Sequence, residues 1–380
     1  MSDYSSQKGL DSLIAPEATN QKEGVLTDIA DAPVAASAVD LFCGAGGLTA
    51  GLLAEGLPVA AGIDNDAACR FPYVTNNEVP FLERNVAEMT ADELEELFTP
   101  EVPRILVGCA PCQPFSSYSS KRDDDRWALV ERFADLICEV RPDIVSMENV
   151  PRLTKFENGS VLRNFVDRLR EADYHVSADI VCAADYGVPQ KRNRLVLLAS
   201  RHGPIALEEP PVKVEEHVTV AQAIGDLAMI GAGETDPIDE LHRSASLSPR
   251  NRDRIRAAKP GGTWRDWDEE LVTDCHRAET GKSYPSVYGR MEWNKPAPTM
   301  TTQFYGFGNG RFGHPEQDRA ISLREGAILQ SFDKSYRFVP EGAKIHTKTV
   351  GRLIGNAVPV LLGRAIARSI ICHMREHGIA

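Results

Sequence analysis

From Ala38 onward, short apolar runs alternate with stretches in which apolar residues recur every three or four positions. The run AVDLF (38–42) leads into a glycine turn and a helix, and VAAGID (59–64) is a second run. RILVGC (104–109) and DIVSMEN (143–149) are a third and a fourth. Runs this short, bounded by Gly, Pro and Asp, read as strands. Trp127, Val130, Phe133, Ala134 and Ile137 fall on one helical face, which Pro142 ends. TADELEELF, with Thr90 and Glu93 at capping-box spacing, predicts a surface helix. Strand and helix alternating at this pace predict a parallel sheet with helices on both faces. VSADIVCAADYG (176–187) and RLVLLAS (194–200), a short loop apart, predict a strand pair closing one edge. The expected fold class is therefore α/β: a Rossmann-like sheet, mostly parallel, with one antiparallel edge strand and a second, smaller irregular domain.

The second domain is expected over 201–348, where Pro, Gly and charged residues dominate and periodicity fades. VGRLIGNAVPVLLGRAIARSIICHM then predicts a turn and a strong helix: Val358, Leu361, Leu362, Ala365, Ile366, Ile370 and His373 share one face, with Pro359 in the first turn. The first domain is placed at 37–200, completed by 349–380. Residues 1–36, rich in Ser, Ala, Asp and Glu without a sustained period, read as a disordered or loosely attached acidic tail. No internal repeat is visible.

Composition narrows the class. A chain of 380 residues suggests about two domains. No apolar stretch approaches the roughly 20 residues that span a membrane, and the N-terminus lacks a secretory signal pattern. Eight cysteines in this length are not a disulfide framework, so a reducing cytoplasm fits best. The net charge of −13 argues against nonspecific nucleic-acid binding by the whole chain. Charges act over only about 8 Å at physiological salt, however, so local patches outweigh the total. Arg243, Arg250, Arg252, Arg254, Arg256, Lys259 and Arg265 stand against the single acid Asp253, a basic stretch in an acidic chain.

Two turns carry candidate chemistry. VDLFCGAGGL (39–48) follows a strand and precedes a helix, so its glycines let a ligand approach the backbone and the helix N-terminus favours a negative group. Asp64 ends the next run, where a carboxylate can hold ribose hydroxyls. The dinucleotide fingerprint requires glycine three residues after Gly46, where this chain has Thr49; a nicotinamide cofactor is disfavoured and an adenosine-type ligand remains. The second turn is VGCAPCQPFSS (107–117), which leaves the third strand. In open parallel sheets, ligands sit outside the strand C-termini, so Cys112 and Glu148 should face the crevice of the glycine turn. A thiol becomes a nucleophile near cations, for which Arg192 and Arg194 are candidates. A redox pair lacks a thioredoxin-like context, and no second Cys or His pair has zinc spacing, so no metal is expected. Of the two thiols, Cys109 better fits a buried, inert cysteine.

In order along the chain, DLFCGAGG, APCQPFS, ENV (148–150), QKRNR (190–194), RMEWNKPAPTMTT and GNAVP (355–359) resemble the S-adenosylmethionine-dependent cytosine-5 DNA methyltransferases. The likeness spans about residues 38 to 375. It implies that Phe42, Gly44, Gly46 and Leu48 shape the cofactor site, with Phe42 against the adenine, and that Asp64 binds the ribose. Pro111 and Gln113 would shape the loop of Cys112, the nucleophile, with Gln113 and Ser116 on the DNA side. Glu148 would contact the cytosine ring, Arg192 and Arg194 would assist at the base and phosphate, and Asn356 would lie near the cofactor. The family's third motif has Asp before an aliphatic residue, where this chain has Asn85-Val86, so the adenine-edge contacts differ. S-adenosylmethionine as cofactor, S-adenosylhomocysteine as product and double-stranded DNA as partner follow, with the basic stretch from Arg243 to Arg265 in the target-recognition domain. A cognate restriction endonuclease is a further implied partner, and monomeric action is the default.

The resemblance also implies the chemistry: covalent addition of Cys112 to C6 of a flipped-out cytosine activates C5 toward methyl transfer. Three alternatives stay open on sequence alone. A transfer-RNA substrate would call for a Cys-Phe-Thr tripeptide, and Asp274-Cys275-His276, the nearest candidate, does not match. A DNA-binding module without catalysis is opposed by Cys112, Glu148 and Arg194 together. A nicotinamide oxidoreductase is opposed by Thr49.

Overall fold

The computed structural model describes residues 34–111 and 127–380. Among them nine strands form: β1 (Ser37–Leu41), β2 (Val59–Asp64), β3 (Phe81–Glu83), β4 (Arg104–Gly108), β5 (Ile144–Asn149), β6 (His175–Cys182), β7 (Gln190–Lys191), β8 (Asn193–Ser200) and β9 (Ala297–Pro298). A seven-stranded sheet has the order β3-β2-β1-β4-β5-β8-β6. Strands β3, β2, β1, β4 and β5 are mutually parallel, and β8 runs antiparallel to both its neighbours. The antiparallel strand thus lies one in from the edge, with β6 outermost. The order reverses between β1 and β4, the position where open α/β sheets leave a crevice beyond their strand ends.

The chain separates into two compact units. The first comprises residues up to Cys182, Asn193–Glu209 and Val360–Ala380; the second comprises Ala183–Arg192 and Pro210–Pro359. The first holds the sheet and helices α1 (Gly47–Ala54), α2 (Arg70–Asn77), α3 (Ala91–Glu95), α4 (Ala128–Val140) and α5 (Ser160–Glu171), with the C-terminal helix Val360–Glu376. Phe133, Ile137, Leu162 and Phe165, from α4 and α5, pack in one core with Val39, Leu41, Leu106 and Val145 of the strands. Each such side chain contributes about 1.5–3 kcal/mol by leaving water. The capping box predicted at Thr90 and Glu93 forms at the start of α3. The C-terminal helix lies so close to α1 that a Cβ on Gly51 would come within 2.6 Å of the Val360 carbonyl oxygen and of the Gly363 carbonyl carbon.

The second unit has little regular structure beyond the parallel pair β7–β9 and short helices, so its buried backbone groups need side-chain partners. Buried arginines supply them. Arg290 donates to the carbonyls of Ala258 (2.9 Å), His314 (2.9 Å) and Gln317 (2.7 Å). Arg319, fully buried, makes a bidentate pair with Glu325 at 2.7 Å on each arm. Trp264 and Trp267 are core residues here, packed with Leu247, Ile255 and Phe307.

Two expectations need correction. VGRLIGN is not a turn but the last seven residues of a helix, Thr347–Asn356, because Gly351 and Gly355 are the close-approach positions of a continuous helix. Gly355, for example, leaves no room for a Cβ against the Thr301 carbonyl, 2.3 Å away. The hydropathy pattern also passed over Thr347–Glu376, which has the length and composition to cross a membrane. That stretch is broken between Asn356 and Val360, and most of it is buried, as in a core helix.

Candidate active site

The strand ends of the first unit carry the first cluster. Beyond β1 the chain enters left-handed conformations at Phe42 (φ 59°), Gly44 (φ 54°) and Gly46 (φ 90°). Conformation rather than crowding requires glycine at position 44, since a Cβ there would meet nothing within 4 Å. Gly46 caps α1 without any side-chain hydrogen bond, so the first amides of the helix keep no side-chain partner at the cap. Leu48 is buried in the first turn of that helix. Phe42 is half-buried and meets Phe133 edge-on, with ring centroids 6.4 Å apart.

Asp64 closes the turn from β2. Its Oδ2 accepts from the Gly44 amide at 3.0 Å and its Oδ1 from the Asp66 amide at 2.9 Å. Burial raises its pKa above the ordinary carboxylate value, and those amides oppose the rise. Asp40, only 1% exposed, accepts from Thr49 Oγ1 at 2.7 Å, and Thr49 in turn lies 3.0 Å from the Tyr73 hydroxyl. Burial pushes Asp40 up to about 7, with the nearby Asp64 charge adding and the Thr49 hydroxyl opposing. Thr49, where the dinucleotide fingerprint would have glycine, therefore plays a structural part, because its hydroxyl donates to Oδ2 of a buried acid. Sequence reasoning missed this relay, which depends on Tyr73 reaching over Gly62. Asn85 spends its side chain locally, accepting from the Ala87 amide at 3.1 Å and donating to Glu88 at 2.8 Å; Val86 is buried.

The second cluster surrounds Glu148, near the end of β5 and 3% exposed. Arg194, from the start of β8, places Nε 2.8 Å from Glu148 Oε1, an ion pair whose N–H is not aligned into a hydrogen bond. The antiparallel register brings them together: Asn149 faces Leu195, so β8 begins where β5 ends. The other oxygen, Oε2, accepts from the Cys109 thiol at 2.8 Å. Cys109 is therefore not the buried, inert cysteine that its sequence context suggests; it is half-exposed and bonded to the acid. Asn149 donates from Nδ2 to the Ala110 carbonyl at 3.2 Å, holding the exit of β4 to β5. Pro111 is among the described residues, and Cys112, Gln113 and Ser116 lie outside them.

The remaining candidates belong to the second unit. Arg192 is buried, and its guanidinium donates to the carbonyls of Met300 (2.8 Å), Gly355 (3.1 Å) and Ala357 (3.3 Å). Asn356 is exposed at the end of its helix. In the basic stretch, Arg250, Arg252, Arg256, Lys259 and Arg265 are exposed, while Arg243 and Arg254 are half-buried. Arg254 is turned inward, donating to the Leu271 carbonyl at 2.8 Å and lying over the Tyr288 ring. Arg265 is exposed, with its guanidinium carbon 5.3 Å from the centroid of the Trp264 ring.

Phe42 to Leu48, Asp64, Glu148 and Arg194 thus gather along the strand ends of one unit. Among the described residues, no group of His, Cys, Asp and Glu is arranged to hold a metal. A profile of the C-5 cytosine-specific DNA methylase family matches residues 36–372. The chain is 53% identical over 333 residues to the Type II methylase M.HgiDII of Herpetosiphon aurantiacus, covering 87% of this chain and 94% of that one. It is 30% identical over 339 residues to the Type II methyltransferase M1.HphI of Haemophilus parahaemolyticus, covering 88% and 86%. Among solved structures, a prophage-encoded E. coli protein provisionally assigned as a DNA modification methyltransferase superposes with a TM-score of 0.69 at 22% identity, covering 89% of this chain and 99% of that one. At that identity the likeness speaks for the fold alone.

Proposed function

The chain belongs to the C-5 cytosine-specific DNA methylase family, and from that premise we propose a specific reaction and the residues that carry it out. The methyl group of S-adenosylmethionine goes to C5 of a cytosine flipped out of a short duplex sequence, with Cys112 as the nucleophile. The observation that carries this reading is the Glu148–Arg194 pair: a carboxylate 3% exposed and held by a guanidinium, on the strand next to the one that runs into Cys112.

The first cluster fits the cofactor. Asp64 is held by backbone amides at the strand end, where its carboxylate can meet ribose hydroxyls, open space lies over Gly44, and the α1 N-terminus suits a carboxylate. When bound, the cofactor supplies an electrophilic methyl group. Cytosine C5 is too weakly nucleophilic to take it unaided. Addition of the Cys112 thiolate to C6 breaks the aromatic ring and makes C5 enamine-like. Glu148 shares a proton with N3 and stabilises the electron density that develops on the ring, while Arg194 holds the carboxylate in place. After C5 is methylated, loss of its proton expels Cys112 and restores the ring.

Flipping the base costs a few kcal/mol, which protein–phosphate contacts must offset. The exposed cations Arg250, Arg252, Arg256, Lys259 and Arg265 of the second unit are suited to making them, and arginines can also read guanine edges. This unit is then the target-recognition domain. Since the named relatives are Type II enzymes, we extend the reading to a cytoplasmic restriction–modification pair in which this chain protects the sites of a companion endonuclease.

Bisulfite sequencing of random-sequence DNA, after incubation with S-adenosylmethionine and either wild-type protein or Cys112→Ala, tests the reading. Protection of cytosines in one short motif, lost in the variant, is expected. Methylation that survives in Cys112→Ala would reject the nucleophile, and a well-folded wild type that protects nothing would reject the reaction.

A further inference from the structure

Methyl transfer as proposed uses one face of Glu148 and leaves the thiol beside it unassigned. We propose that Cys109 is a positioning residue for methyl transfer: its S–H fixes Glu148 Oε2 until the base takes that oxygen. The inference rests on the reading of Glu148 as the acid that meets the base.

A glutamate carboxylate rotates broadly about its last torsion, so one contact does not set its plane. Glu148 has two. Oε1 lies 2.8 Å from Arg194 Nε, and Oε2 accepts from Cys109 Sγ at 2.8 Å. Contacts on both oxygens fix the plane before any base arrives. The thiol can do this because its own backbone is held on both sides. The Cys109 amide donates to the Leu41 carbonyl at 3.3 Å, and the next carbonyl, of Ala110, accepts from Asn149 at 3.2 Å. On the other side, Gly108 is confined by the Leu41 carbonyl and the Phe133 ring, both within 3.2 Å of where a Cβ would stand. Parallel pairing of Gly108 with Met147 makes Cys109 and Glu148 the next lateral neighbours, so the contact is built into the sheet.

The choice of sulfur has a consequence. A thiol is a weak donor, so it holds the oxygen in the free enzyme yet yields it at little cost to a ring nitrogen. A hydroxyl would hold more firmly, whereas a methyl group would not hold at all. Alanine and serine are close in size, so the two substitutions separate hydrogen bonding from packing.

The test is kcat/KM for methyl transfer on limiting DNA, which reports groups of the free enzyme, across pH, for wild type, Cys109→Ala, Cys109→Ser and Glu148→Gln, with melting temperature recorded for each. Cys109→Ala should lower kcat/KM about tenfold, the size expected for one hydrogen bond to a charged group, with the single-turnover rate on saturating DNA unchanged. Cys109→Ser should recover to within about threefold of wild type, since a hydroxyl also donates. The limb of the pH–rate profile that disappears in Glu148→Gln should move to higher pH in Cys109→Ala and return in Cys109→Ser. Equal rates for alanine and serine, or a limb that stays in place in both, would overturn the positioning role. If Glu148→Gln itself reacts like wild type, the reading of Glu148 fails instead, and the two failures are told apart in one series.

Discussion

Arg194 is 8% exposed and Glu148 3%, so neither charge has water to fall back on if the other is removed. Losing one partner of such a pair typically costs about 3–5 kcal/mol, because the survivor is a buried, uncompensated charge. Arg194→Met should therefore destabilise the first unit by about 3 kcal/mol and abolish methyl transfer. Adding Glu148→Gln should return most of that stability, since no unpaired charge remains, but none of the activity. Urea unfolding and methyl incorporation measured on the same preparations would check this; a double variant no more stable than Arg194→Met would mean that the pair is not what holds these side chains. Both residues were legible from ENV and QKRNR. The Cys109 contact was not, because it arises from the register between two strands far apart in sequence, and a cysteine in an apolar run gives no local sign of its neighbour. Nor did QKRNR distinguish its two arginines: Arg192 donates to backbone carbonyls one and two motifs further along the chain.

The elements that position these residues were legible to different degrees, for physical reasons. β1, β2, β4 and β5 are largely buried strands of a parallel sheet, so each appears as a short, mostly apolar run whose polar residues include Asp40, Asp64 and Glu148. β3 has three residues, Phe81–Glu83, too few to show a period. The irregular second unit hides its order because buried arginines and glutamines, rather than apolar repeats, hold its backbone. The crossing of α1 with the C-terminal helix offers a direct test. A Cβ on Gly51 would stand 2.6 Å from backbone atoms of Val360 and Gly363, which cannot rotate away like a side chain. Gly51→Ala should push the helices apart and cost about 1–3 kcal/mol. It should also weaken cofactor binding, because α1 begins directly at the glycine turn. Thermal unfolding and calorimetric titration with S-adenosylhomocysteine would show both effects. A variant with wild-type melting temperature and affinity would mean that the crossing tolerates separation.

At the scale of the whole molecule, the two units differ in how their buried titratable groups respond to acid. In the second unit, His314 is 1% exposed and accepts the Glu316 and Gln317 amides on Nδ1, at 3.2 and 2.9 Å. Burial lowers its pKa from 6.5 to about 4, with the Glu325 carboxylate opposing. The first unit has a counterpart in His373, on Ser200 Oγ at 2.7 Å and likewise lowered by burial to about 4. A histidine with a depressed folded-state pKa gives stability that is complete above 6.5 and lost as pH falls toward 4, about 3 kcal/mol for a shift of this size. The first unit alone also holds Asp40, raised by burial from 3.8 to about 7. Its sign is opposite: the folded state keeps a proton that the unfolded chain has released, so stability is regained as pH falls from 7 toward 3.8, by up to about 4 kcal/mol. In the first unit the two contributions nearly cancel between pH 6.5 and 4, whereas in the second nothing offsets His314 among the groups with resolved shifts. Its shifted carboxylates, Asp226, Asp236, Glu325 and Asp333, are all lowered and lose stability as pH falls further. Acidification should therefore loosen the second unit first. Hydrogen exchange at pH 7 and pH 4.5, corrected for the intrinsic exchange rate, should show protection falling around His314 while the β1–β4–β5 core keeps its own. His314→Gln should flatten the second unit's response, and Asp40→Asn should make the first unit acid-sensitive in its place. Equal loss in both units, or earlier loss in the sheet, would mean that these three buried groups do not set the acid limit of the fold.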